Sequence, residues 1–318
     1  MTTFDVFNGD ADGICALHQW RMVHPADAEK VTGVKRDIEL LARIEPSGGD
    51  NCVVFDISFD ANRASADRLL SSGTSLTWFD HHFAGEIPVH PRLFAHIDTN
   101  ADTCTSLIVD GAIGGKYREW AIVAAFGDNL HHVGKHLSQD AGLVEERVAA
   151  LAELGELINY NAYGDAVEDL HIHPAVLFDS ISPFARPTDF IATSAEFSRL
   201  KAGFASDNKR ANGLRPFHES AGTATYLLPD APWARRIIGV MANRLAVSAP
   251  DRAHALIAPS APGCVTVSVR APKLRPDGAD ALCRQFPNGG GRKAAAGINR
   301  LPARDVDRFV AAFVAHYP

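Results

Sequence analysis

The stretch Thr2-Thr3-Phe4-Asp5-Val6-Phe7-Asn8-Gly9-Asp10-Ala11-Asp12-Gly13 joins a β-rich run to a Gly-flanked acidic turn. A helical pattern follows from Ile14 to about Val23, so the segment reads as the strand–turn–helix opening of a βαβ unit. Residues 30–35, 52–57, 75–79 and 93–97 read as further strands, with helical composition between them over 61–71. Strands alternating with helices predict an α/β fold with a mostly parallel sheet, whose functional residues gather at the carboxyl ends of the strands. From about residue 118 to 202 the chain reads as mainly helical, most clearly over 144–157. Pro183, Pro187 and the polar run Ser206-Asp207-Asn208-Lys209-Arg210 mark a looser connection, giving an expected boundary near 205 and domains at 1–205 and 206–318. The second block is a smaller α/β domain: strands at 223–228, 254–257 and 264–270, helices at 233–246, 279–286 and 303–316, and a Gly-rich loop before the last helix.

The chain has 318 residues, 46% hydrophobic and 22% charged, with a net charge of −7. These are ordinary globular values and exclude wholesale disorder. An acidic chain is a poor coat for duplex nucleic acid, though a local cationic pocket remains compatible with it. No apolar run reaches the ~18 residues of a membrane span, and the first residues lack a basic and apolar leader pattern. The five cysteines (Cys15, Cys52, Cys104, Cys264 and Cys283) are odd in number with no Cys-x-x-Cys, which argues against a disulfide scaffold or a thiolate zinc site. The expectation is a soluble cytoplasmic protein without a membrane partner, monomeric or homodimeric.

Four separated segments place acidic or imidazole groups at expected strand ends or the turns after them: Asn8 to Gly13, Val53-Val54-Phe55-Asp56, Phe79-Asp80-His81-His82 and Gly127-Asp128-Asn129. Carboxylate oxygens with neutral imidazole nitrogens suit a Mn²⁺-like ion. Two such ions ~3.5–4 Å apart acidify a shared water and clamp both oxygens of a phosphate-ester displacement. A lone Asp in such a place is ordinarily a helix N-cap, and a lone His pair is ordinarily packing or surface. An EF-hand reading of the first segment fails because Gln19 stands where a bidentate Glu is needed and a strand precedes the loop. The joint occurrence in one βαβ frame carries the weight.

Asp80-His81-His82 is the signature tripeptide of the DHH phosphoesterases, and the other three segments stand in the order which that superfamily shows. Downstream, Gly289-Gly290-Gly291-Arg292-Lys293-Ala294-Ala295-Ala296-Gly297 is similar to the Gly-rich loop of the companion DHHA1 domain. The chain therefore resembles the DHH/DHHA1 superfamily over nearly its whole length: an N-terminal mostly parallel DHH domain and a C-terminal DHHA1-type domain. The resemblance implies two Mn²⁺ ions, with Mg²⁺ or Co²⁺ as substitutes. Asp10 would ligate one ion and Asp12 the other, Asp56 would bridge, and His81 and Asp128 would complete the second. Asn8 is a further ligand candidate, Asp80 would orient an imidazole, and His82 would donate to the phosphate. Arg270, Gly289, Gly290, Gly291 and Arg292 would bind the substrate.

Two departures from the family pattern matter. Asn8 stands where many members carry His or Asp, and a neutral amide is the poorer ligand. Arg292 stands where the loop usually carries His; guanidinium grips phosphate bidentately but gives up no proton at neutral pH. Between residues 264 and 300, seven basic residues face two acidic ones, a local cationic surface suited to phosphate. Phe83, Phe286, His131 and His132 lie near the motifs as base-stacking candidates. The expected activity is hydrolysis of very short oligoribonucleotides or dinucleotides, pGpG among them, to nucleoside 5′-monophosphates, with no long duplex as partner. Alternatives are a 3′-phosphoadenosine 5′-phosphate phosphatase, a polyphosphate or pyrophosphate hydrolase, and a nucleotide-binding sensor with little turnover.

Overall fold

The computed structural model describes residues 1–45 and 47–318. They form two compact units, Met1–Ala202 and Gly203–Pro318. The strands of the first unit are β1 (Thr3–Phe7), β2 (Glu29–Thr32), β3 (Asn51–Phe55), β4 (Ser75–Asp80) and β5 (Leu93–Ile97). Its helices are α1 (Ala11–Val23), α2 (Phe59–Ser71), α3 (Thr105–Ala112), α4 (Arg118–Gly127), α5 (His131–Asp140), α6 (Glu145–Asn161), α7 (Pro174–Ile181) and α8 (Pro187–Thr193), followed by α9 (Ala195–Asn212), which runs past the division. The second unit continues with β6 (His218–Glu219), β7 (Thr223–Leu227), α10 (Pro232–Ser248), β8 (Ala253–Pro259), β9 (Cys264–Arg270), α11 (Ala279–Cys283), β10 (Gly289–Arg292), β11 (Ala295–Pro302) and α12 (Val306–His316).

The sheet of the first unit runs β2-β1-β3-β4-β5 and is parallel throughout. Its register lines up two apolar rows. Val6, Val54 and Trp78 lie on one face, packed with Phe59, Leu69 and Leu76; Phe7, Phe55 and Phe79 lie on the other. Phe55 and Phe79 stack at 5.6 Å. Burial on both faces explains the unbroken apolar run Cys52-Val53-Val54-Phe55. Each such side chain stabilises the unit by roughly 1.5–3 kcal/mol. The chain leaves β1 for β2 on one side and returns to β3 on the other, so the strand order reverses between β1 and β3. The crevice outside the carboxyl ends at such a reversal is where open α/β sheets bind ligands.

The sheet of the second unit runs β10-β11-β9-β8-β7-β6, antiparallel except for β7 beside β8, which α10 connects. Its core gathers Val267, Val269, Leu282, Ile298, Phe309 and Phe313.

Several expectations are corrected by the structure. The acidic turn is shorter than the sequence suggests: α1 begins at Ala11, so Asp12 and Gly13 lie in its first turn. Strand β2 stops at Thr32, which frees Lys35 from the sheet. Asp128 follows a helix, α4, rather than a strand. The polar run Ser206 to Arg210 lies within α9 instead of a loose connection, with Asp207 accepting from Arg236 at 2.9 Å in a buried pair. The Gly-rich loop is strand β10, in a hairpin with a β11 that the sequence hides; glycine has low strand propensity, and only the pairing with β11 builds it.

Candidate metal centre

Three strand ends and two helix ends supply the site. Asp10 ends the β1–α1 turn and N-caps α1, its Oδ1 accepting from the N–H groups of Asp12 (3.0 Å) and Gly13 (3.1 Å). The turn is tight enough to require glycine: a Cβ on Gly13 would stand 2.2 Å from the Asn8 carbonyl oxygen. Asp12 points toward α3, where the N–H groups of Thr105 and Ser106 each donate to it at 2.7 Å. Those donors are two of the unpaired N–H groups that a helix start presents, and they suit a carboxylate. Asp56 follows β3 with φ at +59°, a left-handed conformation rare for a side chain that carries a Cβ. Such strain persists only where surrounding structure enforces it, often at functional sites. Thr105 Oγ1 donates to its Oδ1 at 3.2 Å.

The two histidines of the triplet are held differently. His81 Nδ1 lies 3.1 Å from the Thr103 carbonyl, which only accepts, so Nδ1 donates and Nε2 faces the carboxylates. Around that Nε2 stand Asp56 Oδ1 at 3.4 Å, Asp12 Oδ2 at 3.9 Å and Asp128 Oδ2 at 3.9 Å. Asp80 orients His82 rather than His81, with Oδ1 to Nδ1 at 2.7 Å. The structure thus brings Asp10, Asp12, Asp56, Asp80, His81, His82 and Asp128 together. Asn8 is beside them but turned to the backbone: its Oδ1 accepts from the Asp10 N–H at 3.2 Å and its amide donates to the Lys35 carbonyl at 3.3 Å.

Lys35 is the residue that sequence reasoning missed. Its ammonium hydrogen-bonds Asp10 Oδ2, donates to Asn159 Oδ1 at 3.1 Å and lies 3.6 Å from Asp128 Oδ1. The only available signal was a lone lysine at the end of an expected strand beside the acidic one. Thr105, Ser106 and Asn159 were also passed over, because nothing in their local sequence ties them to the motifs.

Charge is crowded here. Burial pushes the Asp56 carboxyl well above the usual carboxylate range, and Asp10, Asp12 and Asp128 push the same way. Burial also raises Asp128, against the pull of Lys35. For Asp10, burial acts upward but is outweighed by the charge and hydrogen bond of Lys35, which hold it low. Lys35 is pushed down by burial, but Asp10, Tyr163, Asp128 and Asp56 more than compensate and keep it well above its ordinary value. Burial lowers His82, yet its hydrogen bond to Asp80 and that carboxylate's charge raise it overall.

The divalent metal that the family resemblance implies fits this donor set. Asp56, His81 and His82 each offer a ligand atom within 4.8 Å of the others. Donors sharing an ion at about 2.1 Å sit roughly 3–4 Å apart, the spacing seen around His81 Nε2. A cation there would offset the burial and the mutual repulsion that together lift Asp56, and hard oxygens with imidazole suit Mn²⁺ or Mg²⁺. Asp12, Asp56, His81 and Asp128 would hold it.

The substrate-binding candidates lie in the second unit. Gly289, Gly290 and Gly291 form β10, and Gly291 takes φ +138° with Ala296 so near that a Cβ would stand 2.5 Å from its Cα. Arg292 pairs with Ala295, which pairs in turn with Arg270 of β9, so both arginines stand in one row across three strands. Arg270 is braced, donating to Asn243 Oδ1 at 2.7 Å and to Ser268 Oγ at 3.1 Å. Arg292 is exposed and has no ion-pair partner among the described residues. Of the stacking candidates, Phe286 is only 4% exposed and packs edge-on to Phe309, so it is core. Phe83, beside His82, is 74% exposed. His131 is exposed near Phe126, and His132 pairs with Asp102 at 2.9 Å.

No family model and no curated protein matches the chain. Solved structures do. A manganese-bound exonuclease RecJ matches at 17% identity and TM-score 0.61, over 100% of this chain and 91% of its own. RecJ from Thermus thermophilus, in complex with Mn²⁺, matches at 18% identity and TM-score 0.63; this chain spans 52% of its length. A pGpG-specific phosphodiesterase, PggH from Vibrio cholerae, matches at 12% identity and TM-score 0.54, over 99% of this chain and 98% of its own. At these identities the likeness establishes the fold, a mixed α/β architecture with a five-stranded parallel sheet and a second sheet with helices. It is the fold that the Asp80-His81-His82 resemblance implies. No helix among the described residues is long and apolar enough to cross a membrane.

Proposed function

We propose that this chain, built on the DHH/DHHA1 fold, is a metal-dependent phosphodiesterase that hydrolyses dinucleotides or very short oligoribonucleotides to nucleoside 5′-monophosphates, with pGpG the first substrate to try. The observation that carries this reading is the convergence of Asp12, Asp56 and Asp128 on the Nε2 of His81 at the switch point of a parallel sheet. The likeness of its whole length to PggH supports the short substrate. Mn²⁺ is the favoured ion because the RecJ relatives carry it. The ion that this donor set supports stands beside His81 Nε2, among Asp12, Asp56 and Asp128. The five free cysteines suit a reducing compartment such as the cytoplasm.

A divalent ion bound at this site supplies an acidified water and neutralises developing charge on phosphate oxygens. The chain's own groups do the rest. Asp56, Asp12 and Asp128 orient the donor set, and the Thr103 carbonyl fixes the His81 tautomer. His82 bonds Asp80 through Nδ1, which leaves Nε2–H as an outward donor on a 45% exposed side chain. Its raised pKa keeps the imidazolium form available near neutrality, suited to protonating the leaving oxygen. Arg270 and Arg292, with the glycine backbone between the hairpin strands, bind substrate phosphate.

The test is product analysis with purified protein and Mn²⁺ on pGpG, pApA, a seven-nucleotide RNA, 3′-phosphoadenosine 5′-phosphate and polyphosphate, each with and without EDTA. Rapid, chelator-sensitive release of mononucleotides from a dinucleotide is the expected result. Phosphate release from 3′-phosphoadenosine 5′-phosphate or polyphosphate alone overturns the diesterase assignment, and binding without turnover makes the chain a sensor.

A further inference from the structure

We propose that Lys35 takes the place of a second metal ion, so that the chain holds one divalent cation beside a fixed ammonium. The position in question is set by Asp10 and Asp128. Asp128 straddles two cation positions: its Oδ2 faces the group around His81 Nε2, and its Oδ1 lies 3.6 Å from Lys35 Nζ. At the second position the donors of Asp10 and Asn8 are already engaged, and a cationic side chain holds the place between Asp10 and Asp128. Asp10 Oδ2 accepts from Lys35, while Asp10 Oδ1 accepts from the Asp12 and Gly13 N–H groups. Asn8 Oδ1 accepts from the Asp10 N–H, and its amide donates to the Lys35 carbonyl.

Lys35 is not an idle side chain swung into an acidic hole. Its N–H donates to the Ala162 carbonyl at 2.9 Å, just beyond α6, and its Nζ donates to Asn159 Oδ1 near the end of that helix. The backbone and the head group are thus both fixed, and Asn8 pins the Lys35 carbonyl from the β1 side. An ion entering against Asp10 would have to break the Asp10–Lys35 bond and then stand beside an ammonium that Asn159 also holds. The ammonium neutralises Asp10 and holds Asp128 with its second oxygen turned toward His81. Lys35 is therefore a positioning residue for the single ion, and the neutral Asn8 fits a site that does not ligate a metal on that side.

This deepens the hydrolase reading and rests on it only for the class of ion; metal stoichiometry is read whether or not any substrate turns over. The experiment is Mn²⁺ titration of the metal-free full chain, with bound ion counted by equilibrium dialysis and its environment read by electron paramagnetic resonance. The wild type is expected to bind one Mn²⁺ per chain with the six-line spectrum of an isolated ion. Lys35→Met is expected to bind two, with the broadened spectrum of a spin-coupled pair, while Lys35→Arg stays at one. Two ions in the wild type overturn the proposal, and so does a folded Lys35→Met protein that still binds one. If Lys35→Met fails to fold by circular dichroism, Lys35→Gln takes its place, and the wild-type count alone still decides.

Discussion

Around His81 in the first unit, Asp10, Asp12 and Asp56 are buried and each is answered by a named donor: Asp10 by the start of α1, Asp12 by the start of α3, Asp56 by Thr105. Around Arg292 in the second unit, a hairpin of three glycines carries an exposed guanidinium with no ion-pair partner among the described residues. The first arrangement spends stability: like charges are held together, and Asp56 sits in a strained backbone conformation. The second leaves its cation in water and its backbone free of side chains. Preorganisation of this kind suits a site that stabilises developing charge. An exposed arginine beside bare backbone suits capture of a phosphate that arrives from solution. The two regions should therefore fail in different ways when cut.

The largest effect is expected from Asp56→Ala, which should lower turnover by at least about 10³-fold, the scale of losing a preorganised electrostatic group. Metal-free Asp56→Asn, which keeps a residue that tolerates the left-handed backbone, should melt at or above the wild-type temperature, because it removes a buried charge crowded by three other carboxylates. Calorimetry in EDTA beside a rate assay checks both halves. Retained turnover would remove Asp56 from the site, and a clear drop in the melting temperature would show that the acidic crevice is not a site of stored repulsion.

His82→Gln should cost about 10²-fold in kcat, the lower range for loss of a general acid. Its pH profile sharpens the assignment. The raised pKa of His82 places its proton loss above 6.5, so the active imidazolium is present below that pKa and turnover falls as pH rises through it. The variant should lack this alkaline limb. An unchanged limb would assign it to another group.

The parallel sheet is legible because burial on both faces leaves unbroken apolar runs, and Asp56 just after β3 and Asp80 as the last residue of β4 stand at the strand ends where the sequence puts them. What escaped was whatever depends on contact across the chain. In sequence Lys35 looks like the last residue of a strand, and only the packing of α6 against the acidic crevice brings Asn159 and Asp10 to its ammonium. The Gly127-Asp128-Asn129 segment looks in sequence like the other strand ends and turns; in the fold Asp128 caps α4, and it reaches the site because the helix ends there. The local sequence suggests a turn at Asp12, since Asp and Gly are turn formers, whereas capping by Asp10 starts the helix beneath it. In the second unit, Arg270 and Arg292 are 22 positions apart, and no local pattern shows that β11 aligns them in one row.

The smallest effect belongs to the exposed side of the comparison. Arg292→Ala should raise KM about tenfold and leave kcat nearly unchanged, because a charge-assisted contact to a phosphate remote from the reacting bond binds ground state and transition state alike. Arg292→Lys should recover only part of the loss, since an ammonium cannot reproduce a bidentate grip. Arg270→Ala should cost more than Arg292→Ala, since the bonds to Asn243 and Ser268 hold its guanidinium in place before substrate arrives and less ordering is lost on binding. Michaelis constants for the three variants on one dinucleotide decide the matter. Should Arg292→Ala instead lower kcat with KM unchanged, the hairpin takes part in the chemical step, and the division between a reacting acidic crevice and a capturing basic hairpin does not hold.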